Sequence, residues 1–384
     1  MASQDAGRSG RYVKQPRGYY AFIPSPLPPD PPVGVDSEMS RLLSQADRAL
    51  GRLDGAADIL PNPDLFVAMY VRKEAVLSSQ IEGTQASLED VIEYEAAPAG
   101  ADHPKDVAEV VNYVAAMNLG LTRLSELPLS LRLIREIHAR LLEGVRGQRR
   151  NPGEFRDSQN WIGPEGGGLK DAIFVPPPPH ELMGALGHWE SFIHSELEMP
   201  DLVQIGLAHA QFETIHPFLD GNGRVGRLLI TFLLCSRGVL QRPLLYTSYF
   251  FRRHREEYYT RLQATRDEGD WEGWLKFFLR GVHATAQEAS ATARAILAYR
   301  EATQMQIREN LGMAAGNALA LLDHLFETPA ISVGDAADVL GVAFPTAARL
   351  VSSVEELGVL VETTGQSRYR RFIHRPYVDL LSGE

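Results

Sequence analysis

The densest chemistry in the sequence lies in one run, His216-Pro217-Phe218-Leu219-Asp220-Gly221-Asn222-Gly223-Arg224-Val225-Gly226-Arg227. Gly221 and Gly223 permit φ > 0 and a close backbone approach, and helical periodicity from Arg224 to Ser236 places a helix immediately after them. The unpaired N–H groups and positive dipole end of that helix point back at the loop, which makes an anion site. Arg224 and Arg227, three apart on the first turn, put two guanidinium groups on nearly one face. Basic residues there oppose the macrodipole, a penalty that a polyphosphate would offset.

His216, directly before Pro217 and beside this cradle, is placed to act as a general base, although a lone histidine is more often structural. Asp220 suits Mg²⁺, which takes one or two carboxylates plus phosphate oxygens; a turn or cap is the other reading of an aspartate there. A transition-metal site of His209, His216 and Asp220 is disfavoured by the absence of an H-x-x-x-H spacing. Gly221, Gly223 and Gly226 also spell G-x-G-x-x-G. The dinucleotide fingerprint needs a preceding strand and an acidic residue about 20 positions on, whereas a helical pattern precedes these glycines and Val239 to Arg255 contain no Asp or Glu.

The run matches H-x-F-x-[DE]-G-N-G-R-x-x-R throughout, so the chain resembles the Fic family, with similarity from Tyr20 to about Val282. The lysine that Doc-type kinases carry at the second glycine is absent, since Gly223 is retained. The resemblance implies transfer of AMP from ATP to a Ser, Thr or Tyr hydroxyl of a target protein, with release of pyrophosphate. It implies that His216 accepts the hydroxyl proton and that Asp220 holds Mg²⁺. Asn222, Arg224 and the loop amides of Gly221, Gly223, Val225 and Gly226 would bind phosphate oxygens, and Arg227 would meet the γ-phosphate. The segment Gln159 to Val175 corresponds to the family's flap, a short β-hairpin with Asp171, Ala172, Ile173 and Phe174 over the nucleotide; an ordinary surface hairpin is the alternative. Tyr258 and Tyr259 resemble the pair lining the family's nucleotide pocket, with amphipathic helix packing the other reading for either.

Ser78-Ser79-Gln80-Ile81-Glu82-Gly83 matches the family's inhibitory pattern [ST]-x-x-x-E-[GN]. A glutamate one residue before a helix-ending glycine sits at the negative end of the dipole, so it must be solvated or paired with a cation. The resemblance implies pairing of Glu82 with Arg227, withdrawing that arginine from ATP. In some family members the equivalent glutamate orients water to remove AMP, so de-AMPylation at the same site stays an alternative.

The elements that position these residues are mainly helical. With 384 residues, 44% hydrophobic and 23% charged, the chain can build more than one core. A Pro-rich arm over 1–35, too proline-dense for helix, precedes a helical segment over 36–105 that carries the inhibitory pattern. In it Leu42, Leu43, Ala46, Leu50 and Leu53 recur at helical spacing, Asn62-Pro63 reads as an N-cap and first-turn proline, and Ser87 with Asp90 reads as a capping box. A Fic-type helical core over 106–285 contains the flap, and a connecting helix fills 286–310. The tail, 311–384, alternates short helices with Ile331–Val333, Val359–Thr363 and Arg368–Ile373, the order of a winged helix-turn-helix.

Composition narrows the partners. A net charge of -11 gives little support for non-specific binding to nucleic acid or to an anionic membrane. Leu228 to Cys235, the longest apolar stretch, is less than half of the roughly 20 residues a span requires. The first twenty residues lack an apolar signal core, so a cytoplasmic protein is expected. Cys235 reads as a small buried hydrophobe and, being the only cysteine, excludes an intrachain disulfide. A DNA-binding regulator is the alternative from another functional class. From Asn310 onward five arginines face nine acidic residues, the wrong balance for a duplex reader, with Arg368, Arg370 and Arg371 the one basic cluster. Target docking or support of a homodimer competes for that module, and self-modification remains open.

Overall fold

The proline-dense N-terminus forms a β-hairpin before its prolines accumulate, instead of running as a bare extended arm. In the computed structural model, which describes residues 7–58, 63–96, 105–164, 166–366 and 369–382, a 3-10 turn at Gly7–Ser9 leads into β1 (Gly10–Lys14). This strand pairs antiparallel with β2 (Tyr20–Pro24), Gly10 opposite Pro24 and Lys14 opposite Tyr20. The hairpin is anchored by Phe22, fully buried against Tyr12 and Phe174. Asn62 and Arg368, named above as a cap and a wing residue, lie outside the described residues.

The helical body follows as α1 (Ser37–Asp58), α2 (Pro63–Ile81), α3 (Leu88–Ala96), α4 (Lys105–Leu124) and α5 (Leu131–Leu141). Gly83, at φ 99°, stops the chain just past α2 in a conformation that favours glycine. At α3 the expected capping box forms: Ser87 N–H and Oγ–H each donate to Asp90 at 2.7 Å, and Asp90 N–H donates back to Ser87 Oγ at 3.1 Å. Then come α6 (Pro179–His194), α7 (Asp201–Ile215), α8 (Asn222–Ser236), α9 (Ser248–Arg253), α10 (Arg255–Asp267) and the long α11 (Trp271–Asn310), whose first turn is capped by Asp270. Every residue of α7 after its first is buried, as are most of α8. These two helices are the centre of the body, and the chain reverses between them at 216–221.

The flap holds far less β-structure than expected. Its two runs meet in a single antiparallel bridge, Ile162 with Phe174, and a 3-10 turn occupies Leu169–Asp171. Pro164, the glycines at 166–168 and Pro176 to Pro179 leave too few ladder-forming residues for a sheet.

In the tail, α12 (Ala315–Glu327), β3 (Ala330–Ser332), α13 (Val333–Leu340), α14 (Phe344–Glu356), β4 (Val361–Glu362) and β5 (Arg371–Ile373) precede a closing helix, α15 (Arg375–Ser382). The sheet is antiparallel in the order β3-β5-β4. The tail's buried side chains, among them Leu321 and Leu325 of α12, Val351 of α14 and Tyr377 of α15, run without a break into the core of the helical body, where α12 and α15 meet α2 and β3 meets α3. Among the described residues no single helix is long and apolar enough to cross a membrane.

Candidate functional site

The reversal between the two central helices begins at His216, which adopts a left-handed conformation at φ 49°. A non-glycine residue there carries strain of roughly 1–3 kcal/mol that its surroundings must hold in place. They do so through its backbone. His216 N–H donates to Phe212 O at 2.9 Å. Its carbonyl accepts from Arg156 Nε at 3.0 Å and from Asn160 Nδ2 at 3.1 Å. Arg156 also donates to the carbonyls of Ser158 and Pro177 (3.3 and 2.5 Å), and Asn160 to Phe218 O at 2.8 Å, so both lock the approach to the loop. Burial, reinforced by the charges of Arg266 and Arg156, lowers the His216 pKa to about 3. The ring is therefore neutral at neutral pH. With Nδ1 3.4 Å from Glu213 O, the Nδ1–H tautomer leaves the Nε2 lone pair available.

Asn222 closes the loop: Phe218 N–H donates to its Oδ1 at 2.8 Å and its Nδ2 donates back to Phe218 O at 2.9 Å. His138 of α5 supports it from below, stacked on Phe218 at 3.7 Å. Gly153 N–H donates to His138 Nδ1 at 2.9 Å, so Nε2 carries the proton and donates to Asp220 O at 3.0 Å. Gly221 is left-handed at φ 76°, as expected. Gly223 is not; it lies in the first turn of α8, and its role is space. A Cβ there would come within 2.4 Å of Glu82 Oε1.

That contact places the Glu82 carboxylate at the N-terminus of α8, where the anion site was expected. Arg227 Nη2 donates to Glu82 Oε1 at 2.7 Å and to Ser78 O at 3.1 Å, while Nε donates to Ser78 Oγ at 2.8 Å. Burial would raise the Glu82 pKa, but the Arg227 guanidinium outweighs it and holds the carboxyl below its ordinary value. Two placements that each looked unfavourable, a carboxylate ending α2 and a guanidinium opening α8, relieve each other. Arg224 finds its acid in Glu109 of α4, 3.2 Å away, with Asp220 at 3.7 Å. Both arginines are 1% exposed.

These groups line a cleft of about 160 Å³ bounded by Glu82, His216, Asp220, Gly223 and Arg224, with Arg146 at its edge. Asp220 Oδ1 accepts Gly221 N–H at 2.7 Å, whereas Oδ2 takes no hydrogen bond among the described residues. One carboxylate oxygen offered to a cleft lined with phosphate-binding groups fits a Mg²⁺ ion shared with a polyphosphate. His209 is no metal ligand: its Nδ1 lies 2.9 Å from Gly226 O and its Nε2 2.9 Å from Tyr258 Oη.

Three expected pocket residues stand elsewhere. Phe174 points inward, 1% exposed between Phe22 and the Arg266 guanidinium, because alternation along 173–174 turns Ile173 out (69% exposed). Asp171 caps its own turn, accepting Gly168 N–H at 3.0 Å. Of the two readings of Tyr258, pocket wall and helix packing, its position agrees with the second: it is buried against Phe251 and Trp274. Ala172 is half-buried at the flap and Tyr259 is exposed on α10. Nothing in the local sequence distinguished Glu109, His138, Arg156 or Asn160, since each acts on a segment remote in the chain.

The buried titratable groups set an acid limit on the fold. His138 and His374 are lowered to about 4 and His209 to about 3, each by burial first. The unfolded chain protonates these rings near 6.5 and the folded chain does not. Their contribution is therefore complete above that pH and is lost as pH falls through the window between the two values. Glu74 and Glu213, raised to about 7 by burial, act in the opposite sense between 4.5 and 7, where folding retains their protons. Urea midpoints should thus decline gently from pH 6.5 to 4.5 and more steeply between about 4.5 and 4. A steeper fall in the upper window would contradict this.

Comparison with known proteins agrees with this geometry. Residues 40–122 match the family model described as Fic/DOC family N-terminal and residues 128–234 match that described as Fic/DOC family. A protein adenylyltransferase Fic of Aedes aegypti is 34% identical over 154 residues, 39% of this chain and 27% of that protein. A probable protein adenylyltransferase of Aquifex aeolicus is 27% identical over 208 residues, 53% of this chain and 57% of that one. The chain thus spans little more than a quarter of the insect relative's length. In fold it is similar to a Fic family protein from Desulfovibrio desulfuricans G20, with a TM-score of 0.58 at 19% identity, covering 89% of this chain and 97% of that one.

Proposed function

Over residues 40–122 and 128–234 the chain belongs to the Fic/DOC family, and we propose that it is a protein adenylyltransferase that transfers AMP from ATP to a hydroxyl side chain of a target protein. The observation that carries this is the convergence on one cleft of a neutral, backbone-clamped His216, the Asp220 carboxylate, the N-terminus of α8 and the buried Arg224, with Arg227 held behind it by Glu82. Such a set binds and neutralises a polyphosphate next to a base, and phosphoryl-type transfer is largely positioning and charge neutralisation.

In this reading His216 Nε2 takes the proton of a Ser, Thr or Tyr hydroxyl as its oxygen bonds to the α-phosphorus, and the bond to pyrophosphate breaks. Asp220 holds Mg²⁺, which supplies charge neutralisation to the phosphates. The first-turn amides of α8, Asn222 and Arg224 receive phosphate oxygens, and Arg227 takes the γ-phosphate once Glu82 has left it. Glu82 is then inhibitory. Nucleotide-sized ligands occupy pockets of roughly 300–1,000 Å³, and with the carboxylate on Arg227 the cleft is about 160 Å³.

The tail's element order supports a winged helix, but its arginines do not support a DNA-first protein. Arg370 pairs with Glu355 at 3.3 Å, and Arg371 and Arg375 turn towards α3. The test is intact-mass analysis of the Glu82→Gly enzyme incubated with ATP and Mg²⁺. Increments of one AMP on the enzyme or an added protein, with matching pyrophosphate, are expected. ATP consumed to ADP and phosphate without protein-bound AMP would overturn the proposal.

A further inference from the structure

The helix carrying the inhibitory pattern has two working sides. Glu74, Ser78 and Glu82 recur every four residues and face inward: Glu74 accepts from Ser248 N–H and Oγ–H at 3.2 and 2.5 Å, and the other two hold Arg227. Val76 and Gln80, two positions either side of Ser78, lie about 200° round a helix of 3.6 residues per turn. They line a cleft of about 200 Å³ closed on the far side by Arg375 and Val378 of α15. The C-terminal module therefore covers the back of the helix whose front holds the glutamate.

The same module grips α3. Arg375 donates to Glu89 with both terminal nitrogens, at 2.6 and 2.5 Å, and Arg371 reaches Glu93 O at 3.5 Å. Planar two-point pairing of this kind fixes orientation as well as distance. α3 is in turn fastened to α2 across a short turn, where Gln80 Nε2 donates to Ala86 O at 2.9 Å and the Ser87–Asp90 box starts the helix. A pull on α3 is thus passed to the end of α2, within two residues of Glu82.

From these contacts the geometry points to a control function for the C-terminal module: by holding α3 through Arg375 and Arg371 and backing α2 with α15, it keeps Glu82 on Arg227, and loosening that grip releases AMP transfer. The inference rests on the inhibitory reading of Glu82. Both side chains of the Arg375–Glu89 pair are 34% exposed, so the pair alone is a modest clamp, and reversing one charge adds repulsion to the lost attraction. Arg375→Glu is expected to raise AMP transfer about 3- to 10-fold, on the scale of one partly exposed ion pair turned repulsive, and to speed amide exchange across α2. Glu89→Arg in the same chain should restore both, and Arg375→Gln should give a smaller change in the same direction. In a Glu82→Gly background Arg375→Glu should add nothing, because the released group is already gone.

The experiment is AMP transfer and amide exchange for these variants of the full chain. An active Glu82→Gly enzyme alongside Arg375→Glu and Arg375→Gln at the wild-type rate, or an Arg375→Glu effect that Glu89→Arg fails to reverse, overturns the control function alone. A Glu82→Gly enzyme no faster than wild type overturns the inhibitory reading on which it stands.

Discussion

Replacing His216 by alanine is expected to lower AMP transfer by about 10²- to 10⁴-fold, the usual worth of a positioned general base, while Mg-ATP affinity changes little. The base acts as the hydroxyl loses its proton and makes little difference to the bound ground state. The structure sharpens the expectation, because the loop is held through the His216 backbone by Arg156 and Asn160, contacts that alanine retains. A residue at φ 49° nevertheless favours other conformations when its side chain changes. His216→Asn, which tolerates the left-handed region, is therefore the companion variant and should be equally inactive. Initial rates beside ATP titrations decide the matter. Parallel loss of nucleotide binding and rate in both variants would make His216 a structural residue.

Glu82→Gly should raise AMP transfer, including self-modification, by about 5- to 150-fold, the range of a coupling of 1–3 kcal/mol between two sites. A fully solvated ion pair, worth about 0–1 kcal/mol, would not suffice. Here Arg227 is 1% exposed and also bonded to Ser78 Oγ and Ser78 O, and the carboxylate fills the space beside Gly223. Removing Glu82 therefore opens the N-terminus of α8 and frees its arginine together. Arg227→Ala should cancel the gain, since the residue to be released is then missing. The readout is initial rate at saturating Mg-ATP and equal enzyme concentration. An unchanged or lower rate in a folded Glu82→Gly protein would mean that the carboxylate supports catalysis or does nothing.

The site was legible where its chemistry is contiguous. His216 to Arg227 and Ser78 to Gly83 each occupy a few turns of chain, so the helix starts and stops around them follow from local rules. The meeting of Glu82 with Arg227, 145 residues apart, came from resemblance and not from spacing. What stayed hidden were partners supplied across the fold: Glu109 to Arg224 over 115 residues, Arg156 to His216 and His138 to Asp220. Of the two reasons for a glycine at 223, positive φ and close approach, the structure uses the second, and only packing reveals that a carboxylate is what lies against its Cα. Long, periodic helices are legible in the sequence, whereas α9 and α15 are too short to show a period. The N-terminal hairpin was masked by the prolines that follow it. Phe174 shows the limit of a flap defined by similarity, since one step along an extended run exchanges the outer face for the core.

The central claim is that the bond broken in ATP lies between the α- and β-phosphates and that His216 enables its transfer to protein. The most direct measurement is parallel incubation of the Glu82→Gly enzyme and Mg²⁺ with ATP labelled at the α- or the γ-phosphate, beside the Glu82→Gly, His216→Ala double variant. Label from the α position should become protein-bound, label from the γ position should leave in pyrophosphate, and the double variant should bind neither. Protein-bound γ-label, or α-label that persists without His216, would contradict the account.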